Sequence, residues 1–222
     1  MIVAAGSSSR MGGQNKLLAP LGESTVAAHS IAAFESFPEV SDIVVVTREE
    51  DIPDYLRIAA GLGCRKVRTV VKGGATRQQS VRAGVEALPA ECSYIAIHDG
   101  ARPLVTGEVF SRCLESARLH GAATAAVPVK DTIKQAGPGG RVAGTPDRSR
   151  LWAVQTPQIF RRGLYRQAAE QAAEHGLDFT DDCQLVESIG QEVYLSMGDY
   201  RNMKITTPED LIIARALLEE WE

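Results

Sequence analysis

Residues Met1 to Lys16 read MIVAAGSSSRMGGQNK, a strand run straight into a glycine-rich loop. Met1 to Ala5 is a short apolar run of strand type, and it feeds directly into GSSSRMGGQNK, Gly6 to Lys16. A strand that opens into a loop of glycines and small hydroxyl residues is suited to handling phosphate. Gly6, Gly12 and Gly13 let the backbone approach a ligand closely, so that successive N–H groups can point at an anion. Arg10 adds a planar fork and Lys16 a mobile point charge. A P-loop requires G-x-x-x-x-G-K-[ST], whereas here Leu17 follows Lys16 and three residues separate Gly12 from Lys16. The glycines alone would mark an ordinary strand-to-helix turn. The arginine and lysine within the same loop favour a phosphate site.

Beyond this loop, strand-like and helix-like segments alternate. Ile43–Thr47 (IVVVT) is β-branched and almost wholly apolar, as expected of a parallel strand covered on both faces. Val67–Val71, Tyr94–His98 and Ala123–Val129 have the same character. Helical stretches lie between them at Thr25–Phe37, Asp51–Leu62, Thr76–Leu88 and Thr106–His120, and in the third Thr76 and Gln79 fit a capping box. This alternation predicts a parallel sheet with right-handed crossovers. Ligands bind such sheets beyond the carboxyl ends of the strands. The functional loops are therefore expected after Ala5, Val71, His98 and Val129.

Lys130–Arg150 breaks the pattern, with five basic and two acidic residues, many glycines and prolines and little to bury. A loop of this length in a compact domain is usually functional or mobile, and Pro138–Gly140 suits the tip of a β-hairpin arm. Helical periodicity returns at Gly163–His175. Thr180, with Asp181 and Asp182, can cap a further helix running to about Ser188. Glu192–Ser196 reads as a strand. The last helix has Thr207 as N-cap, Pro208 at its first position and Asp210 at its third, followed by the stripe Leu211, Ala214, Leu218 and Trp221.

The bulk properties narrow the function. The chain has 222 residues, net charge −4 and 44% hydrophobic content, an ordinary globular composition. The acidic balance argues against a nucleic-acid partner. No apolar run approaches the ~18 residues of a membrane span, and no signal-peptide pattern opens the chain, so a cytoplasmic protein is expected. Cys64, Cys92, Cys113 and Cys183 form no C-x-x-C pair. They read as buried thiols in a reducing compartment rather than as zinc ligands.

Five local features complete the set: Gly73-Gly74 with Ser80 after it, HDGARP (His98–Pro103), DTIK (Asp131–Lys134), LWAVQTPQ (Leu151–Gln158) with the stiff Thr156-Pro157 pair, and Lys204 in NMKIT. Singly, each has an ordinary explanation. Asp99 can be a turn residue, Arg102 its surface partner, His98 a satisfied core histidine and Lys204 a solvated lysine.

In order along the chain, AAGSSSRMGGQNK, GGATRQQSV, HDGARP, PVKDTIK, DRSRLWAVQTPQ, FTDD and NMKITTPEDL resemble the 2-C-methyl-D-erythritol 4-phosphate cytidylyltransferase family of the non-mevalonate isoprenoid pathway. The resemblance covers nearly the whole chain. The first loop alone would indicate only the wider sugar-nucleotide transferases. The resemblance implies an α/β, Rossmann-like nucleotidyltransferase fold, with a mostly parallel central sheet flanked by helices and a protruding β-hairpin arm. It implies one domain over residues 1–222, with 130–153 as a dimerisation arm exchanged in a homodimer. The implied substrates are CTP and a polyol phosphate, with Mg²⁺ held mainly by the CTP phosphates rather than by a direct protein ligand. Arg10, Lys16 and Lys204 are the implied catalytic residues around the phosphates. Ala4, Ala5, Gly6, Gly74, Ser80 and Asp99 are implied in nucleotide binding, and Arg102, Thr132, Arg148, Thr156 and Thr180 in binding the sugar phosphate. Ala75 and Arg201 depart from the family, which often has acidic residues there. Ribitol 5-phosphate cytidylyltransferase, a sister activity, is the alternative reading, and a non-catalytic nucleotide-binding regulator is a more distant one.

Overall fold

A computed structural model describes residues 1–6 and 15–220. Arg10, Gly12, Gly13 and Trp221, singled out above, lie outside the described residues. The chain runs through β1 (Ile2–Val3), a small hairpin of β2 (Pro20–Leu21) and β3 (Ser24–Thr25), α1 (Val26–Ser36), β4 (Ile43–Thr47), α2 (Ile52–Gly61) and β5 (Val67–Lys72). It continues through α3 (Arg77–Ala87), β6 (Tyr94–Asp99), α4 (Gly107–His120) and β7 (Ala122–Pro128). A second hairpin, β8 (Gln135–Ala136) and β9 (Val142–Gly144), leads to β10 (Trp152–Arg161), α5 (Arg162–Glu174), α6 (Asp182–Glu187), β11 (Tyr194–Met197) and α7 (Pro208–Glu219).

Seven strands form the central sheet in the order β11-β7-β10-β6-β1-β4-β5. All pairings are parallel except those of β10, which runs antiparallel to both β6 and β7. β1 is only two residues long, yet it is held by β4 on one side and β6 on the other. Alternation along the strands feeds two apolar layers. Ile43, Val45 and Ile159 face a layer containing Phe34 of α1 and Phe110 of α4, whereas Val44, Val46 and Phe160 face one containing Val81 of α3 and Tyr165 of α5. Helices therefore cover both faces of the sheet, and its carboxyl edge is left for chemistry.

Local signals in the sequence hold with two corrections. Thr76 caps α3 by accepting the Gln79 N–H, but the Gln79 side chain reaches back to the Ala75 N–H (2.9 Å) rather than to that of Thr76, so the box closes one residue early. Thr180 does not cap α6: Asp181 occupies the cap position and makes no side-chain cap bond, because its carboxylate accepts from Gln158 Nε2 at 2.6 Å. At α7 Thr207 is the N-cap as expected, and a capping box is present there, with Asp210 Oδ2 accepting the Thr207 N–H at 2.8 Å. Of the four thiols, Cys113 and Cys183 are buried, but Cys64 and Cys92 are only half-buried, and all four are free.

The basic segment is a hairpin, as expected, and Pro138–Gly140 forms its tip, with Gly139 at φ 67°. Within residues 130–150 every residue except Gly137, Gly144 and Pro146 is exposed. Among the described residues, no helix is long and apolar enough to cross a membrane.

Candidate active site

A cleft of about 300 Å³ opens at the carboxyl edge of β1, β5 and β6. Its floor is the end of β1: Ala4 donates its N–H to the Val46 carbonyl (2.7 Å), and the Gly100 N–H donates to the Val3 carbonyl (2.9 Å). Ala4, Ala5 and Gly6 line the cleft.

Gly73 and Gly74 form one wall, and their lack of side chains is a packing requirement. A Cβ on Gly73 would lie 2.6 Å from Ala5 Cβ and 2.7 Å from Ser80 Oγ, and one on Gly74 would lie 2.3 Å from Gln79 Cβ. Ser80 is buried and accepts the Gly74 N–H (3.1 Å) while donating to the Thr76 carbonyl (2.9 Å). Its hydroxyl thus fixes the turn that forms the wall. α3 begins at this wall, so its positive end faces the cleft and favours an anion there.

Lys16 is positioned from both sides. Asn15 Nδ2 donates to Asp51 Oδ2 (2.8 Å), while Leu17, which is buried, gives its carbonyl to the Ala27 N–H (2.8 Å). Lys204 comes from the segment between β11 and α7. That segment is pinned to the turn after β6 by the Ile205 N–H on the Ala101 carbonyl (2.8 Å) and to β10 by Asn202 Nδ2 on the Thr156 carbonyl (2.8 Å). Residues nearly 190 positions apart thereby place two lysines on one cleft.

Asp99 lies at the centre, and its Oδ2 is 2.7 Å from Lys204 Nζ. Arg77 Nη2 stands 3.9 Å and Arg102 Nε 4.0 Å from the same carboxylate. Burial alone would raise the Asp99 carboxyl, but Lys204, Arg77 and Arg102 outweigh it and hold the group below the usual carboxylate range. Asp99 is therefore an anion that organises cations.

His98 lies directly behind this group and is fully buried. Nε2 donates to the Arg102 carbonyl (3.1 Å), which can only accept, so Nδ1 is the bare nitrogen and accepts the Thr156 hydroxyl (3.0 Å). Thr156 Oγ1 in turn accepts the Asp99 N–H at 3.1 Å. Burial pushes the imidazole down to about 3, so it is neutral at pH 7. The expectation of a satisfied core histidine holds.

The other expected site residues divide by location. Arg102 and Thr156 are buried behind Asp99, Arg102 spending Nη1 on the Asn202 carbonyl (2.7 Å). Arg102 is thus a core residue rather than a surface partner of Asp99. Thr180 is exposed beside the start of α6. Thr132 and Arg148 lie on the exposed hairpin, outside the lining of their own chain's cleft, and Arg148 Nη1 donates to the Lys130 carbonyl at 2.7 Å. The loop after Val129, expected at the site, instead leads into this arm. Arg201 points away toward Glu220, at 3.3 Å. One charged cleft residue escaped the sequence reading. Arg77, the first residue of α3, contacts the buried Asp182. The available signal was an arginine directly after the cap of a helix that follows a Gly-Gly turn.

The model of the family described as IspD, 2-C-methyl-D-erythritol 4-phosphate cytidylyltransferase, matches residues 1–220. The chain belongs to this family. It is 46% identical over 224 residues to the 2-C-methyl-D-erythritol 4-phosphate cytidylyltransferase of Geotalea uraniireducens, a match covering 99% of this chain and 95% of that protein. Identity to the enzyme of the same name from Desulforamulus reducens is 46% over 222 residues, covering 99% and 94%. Among solved structures, the 4-diphosphocytidyl-2C-methyl-D-erythritol synthase of Anaerococcus prevotii superimposes with a TM-score of 0.87 at 30% identity, covering 98% of this chain and 96% of that one. The cytidylyltransferase of Thermus thermophilus gives 0.81 at 33% identity, covering 98% and 97%. The Rossmann-like nucleotidyltransferase fold implied by the sequence is therefore the fold of this chain.

Proposed function

We propose that the chain transfers a cytidylyl group from CTP to 2-C-methyl-D-erythritol 4-phosphate, giving 4-diphosphocytidyl-2-C-methyl-D-erythritol and pyrophosphate. The observation that carries this reading is that Lys16, Lys204 and Asp99 line one cleft of a chain that this family matches over residues 1–220.

The chemistry follows from charge. An oxygen of the sugar phosphate attacks the α-phosphorus of CTP in line. A P–O bond forms there as the bond to the bridging oxygen breaks, and pyrophosphate leaves with that electron pair. The second pKa of a phosphate monoester is about 6, so the nucleophile is already an anion and needs no base. His98 could not serve as one, since both ring nitrogens are engaged inside the core. The barrier is the approach of two polyanions, and it is lowered by positioning and by fixed positive charge. Lys16 and Lys204, which both line the cleft, supply that charge, and Arg10 joins them in this reading. In this reading Ala4, Ala5, Gly6, Gly74 and Ser80, which line the cleft, take the base.

Asp99 is the one acidic side chain among the described residues lining the cleft. That carboxylate is already paired with Lys204, so Mg²⁺, which usually keeps several waters, would be held mainly by the CTP phosphates and reach Asp99 through water. When bound, Mg²⁺ would neutralise phosphate charge as it builds up in the transition state.

The reading extends to one nucleotidyltransferase domain over residues 1–222, working in the cytoplasm as a homodimer. Residues 130–153 form the exchanged arm, and Thr132 and Arg148 reach the sugar phosphate in the partner's cleft beside Thr180, with Arg102 backing Asp99 from the core. The exposure of the hairpin and its absence from the lining of its own chain's cleft support this arrangement. The test is CTP-dependent pyrophosphate release with methylerythritol phosphate and ribitol 5-phosphate side by side. Release with the first and not the second is expected. The reverse would replace the reading with the ribitol phosphate activity, and no release with either would favour a regulator.

A further inference from the structure

The first turn of α3 grips the segment that follows α5. Thr76 Oγ1 donates to Asp178 Oδ1 (3.2 Å), Gln78 Nε2 donates to the Leu177 carbonyl (3.1 Å), and the Phe179 N–H donates to Gln78 Oε1 (2.8 Å). Between Thr76 and Gln78, Arg77 turns inward to two carboxylates. Its Nη1 sits against Asp182 Oδ2, an electrostatic contact rather than an aligned hydrogen bond, and its Nη2 faces Asp99 Oδ1 at 3.9 Å. Asp182 is 2% exposed, and its other oxygen accepts the Tyr165 hydroxyl at 2.8 Å.

The fold alone does not require a charge at Asp182. A buried ion pair seldom outweighs its desolvation, and a neutral amide would accept the Tyr165 hydroxyl equally well. What the charge does is divide Arg77. With Asp182 ionised, the guanidinium is drawn back from Asp99, and Asp99 keeps Lys204 at 2.7 Å. Without that charge, Arg77 would be free to close on Asp99 with two parallel hydrogen bonds, the strongest arrangement open to it. Lys204 would then lose its anchor.

We propose that Asp182 is a positioning residue of the transfer reaction: it holds Arg77 away from Asp99, so that Asp99 sets Lys204, and it ties the α6 segment beside Thr180 to the nucleotide cleft. This assignment rests on the cytidylyl-transfer reading above. It acts on the lysine and so concerns turnover more than nucleotide affinity.

The test measures pyrophosphate release from CTP and methylerythritol phosphate with the full chain. Asp182→Asn keeps the shape and the acceptor for Tyr165. Its kcat is expected to fall about tenfold, with KM for CTP changing less than about threefold. Asp182→Glu, which restores the charge, should recover most of the loss. The decisive measurement repeats Asp182→Asn in a Lys204→Ala background. With the lysine gone there is nothing left to misplace, so the second substitution should change kcat less than about twofold. An equal tenfold loss in both backgrounds would make Asp182 merely structural and overturn the assignment, as would a wild-type kcat for Asp182→Asn. If Asp182→Asn melts below the assay temperature, Asp182→Ser in the two backgrounds is read in the same way. An unmodified chain inactive on both substrates would overturn the functional reading, and this assignment with it. An active one with an unaffected Asp182→Asn would overturn the assignment alone.

Discussion

Replacing Thr156 with valine changes one oxygen for one methyl and interrupts a continuous run of donors. In the native chain the Asp99 N–H donates to the Thr156 hydroxyl (3.1 Å), the hydroxyl donates to His98 Nδ1 (3.0 Å), and His98 Nε2 donates to the Arg102 carbonyl (3.1 Å). Valine leaves two groups without a partner: the Asp99 N–H and His98 Nδ1. Thr156 is 4% exposed and His98 0%, so water cannot substitute without opening the core. Each orphaned group costs about 1–3 kcal/mol, or about 2–6 kcal/mol for the pair. For a chain of this size about 2–4 °C of melting temperature goes with each kcal/mol, so Thr156→Val should melt at least about 4 °C lower. Thr156→Ser is the control: it keeps the hydroxyl and loses only a methyl, worth about 0.8 kcal/mol. Urea unfolding of the three proteins gives the comparison. If valine and serine destabilise equally, the donor chain contributes nothing and the tautomer assigned to His98 is wrong.

Three further outcomes are expected. His98 has a folded pKa of about 3 against an ordinary 6.5; the unfolded chain takes up the proton first, so stability present above pH 6.5 is lost as pH falls toward 3, and a melting temperature flat across that window would contradict the buried neutral ring. Lys16→Ala and Lys204→Ala should each lower kcat by about 10²–10³ with smaller changes in KM, and turnover within a fewfold of wild type would remove them from the reacting phosphates. Random pairing of Lys16→Ala with Arg148→Ala chains should restore about a quarter of the sites, since one site of each mixed dimer receives both lesions and the other none; heterodimers confirmed by tagged pull-down but inactive would refute the exchanged arm.

Much of this was legible because it is local. IVVVT can only be a strand buried on both faces, and Thr207-Pro208 with Asp210 writes its own helix start. The first-loop residues Ala4 and Ala5, the Gly73-Gly74 wall and Lys204 were each visible as pieces, and the family's motif order joined them. What stayed hidden depends on distance. The direction of β10 cannot be read from its composition, because parallel and antiparallel neighbours bury the same side chains. Asp182 looked like a cap residue, since an aspartate after Thr-Asp is usually exposed, and only Arg77, more than 100 positions earlier, explains an acid buried there. Arg102 looked like a surface arginine because the Asn202 carbonyl that receives it is 100 residues away.

The reversed strand β10 also determines where the chain can vary. Val129 and Leu151 meet through an N–H-to-carbonyl bond of 3.0 Å, and Trp152 stands opposite Pro128 in the ladder. The two ends of the hairpin are thus stitched together before the hairpin begins, so its length and sequence make no demand on the sheet. Just beyond the stitch the tolerance ends: the ladder shifts register between Val154 and Gln158, and Gln155 and Thr156 are committed to Asp199, Asp99 and His98. For the sheet, residues 130–150 therefore behave as a cassette plugged into a fixed socket, and what constrains them is the partner's cleft that Thr132 and Arg148 are proposed to serve. An insertion that the cassette absorbs silently would, five residues later, pull the amide of Asp99 out of place.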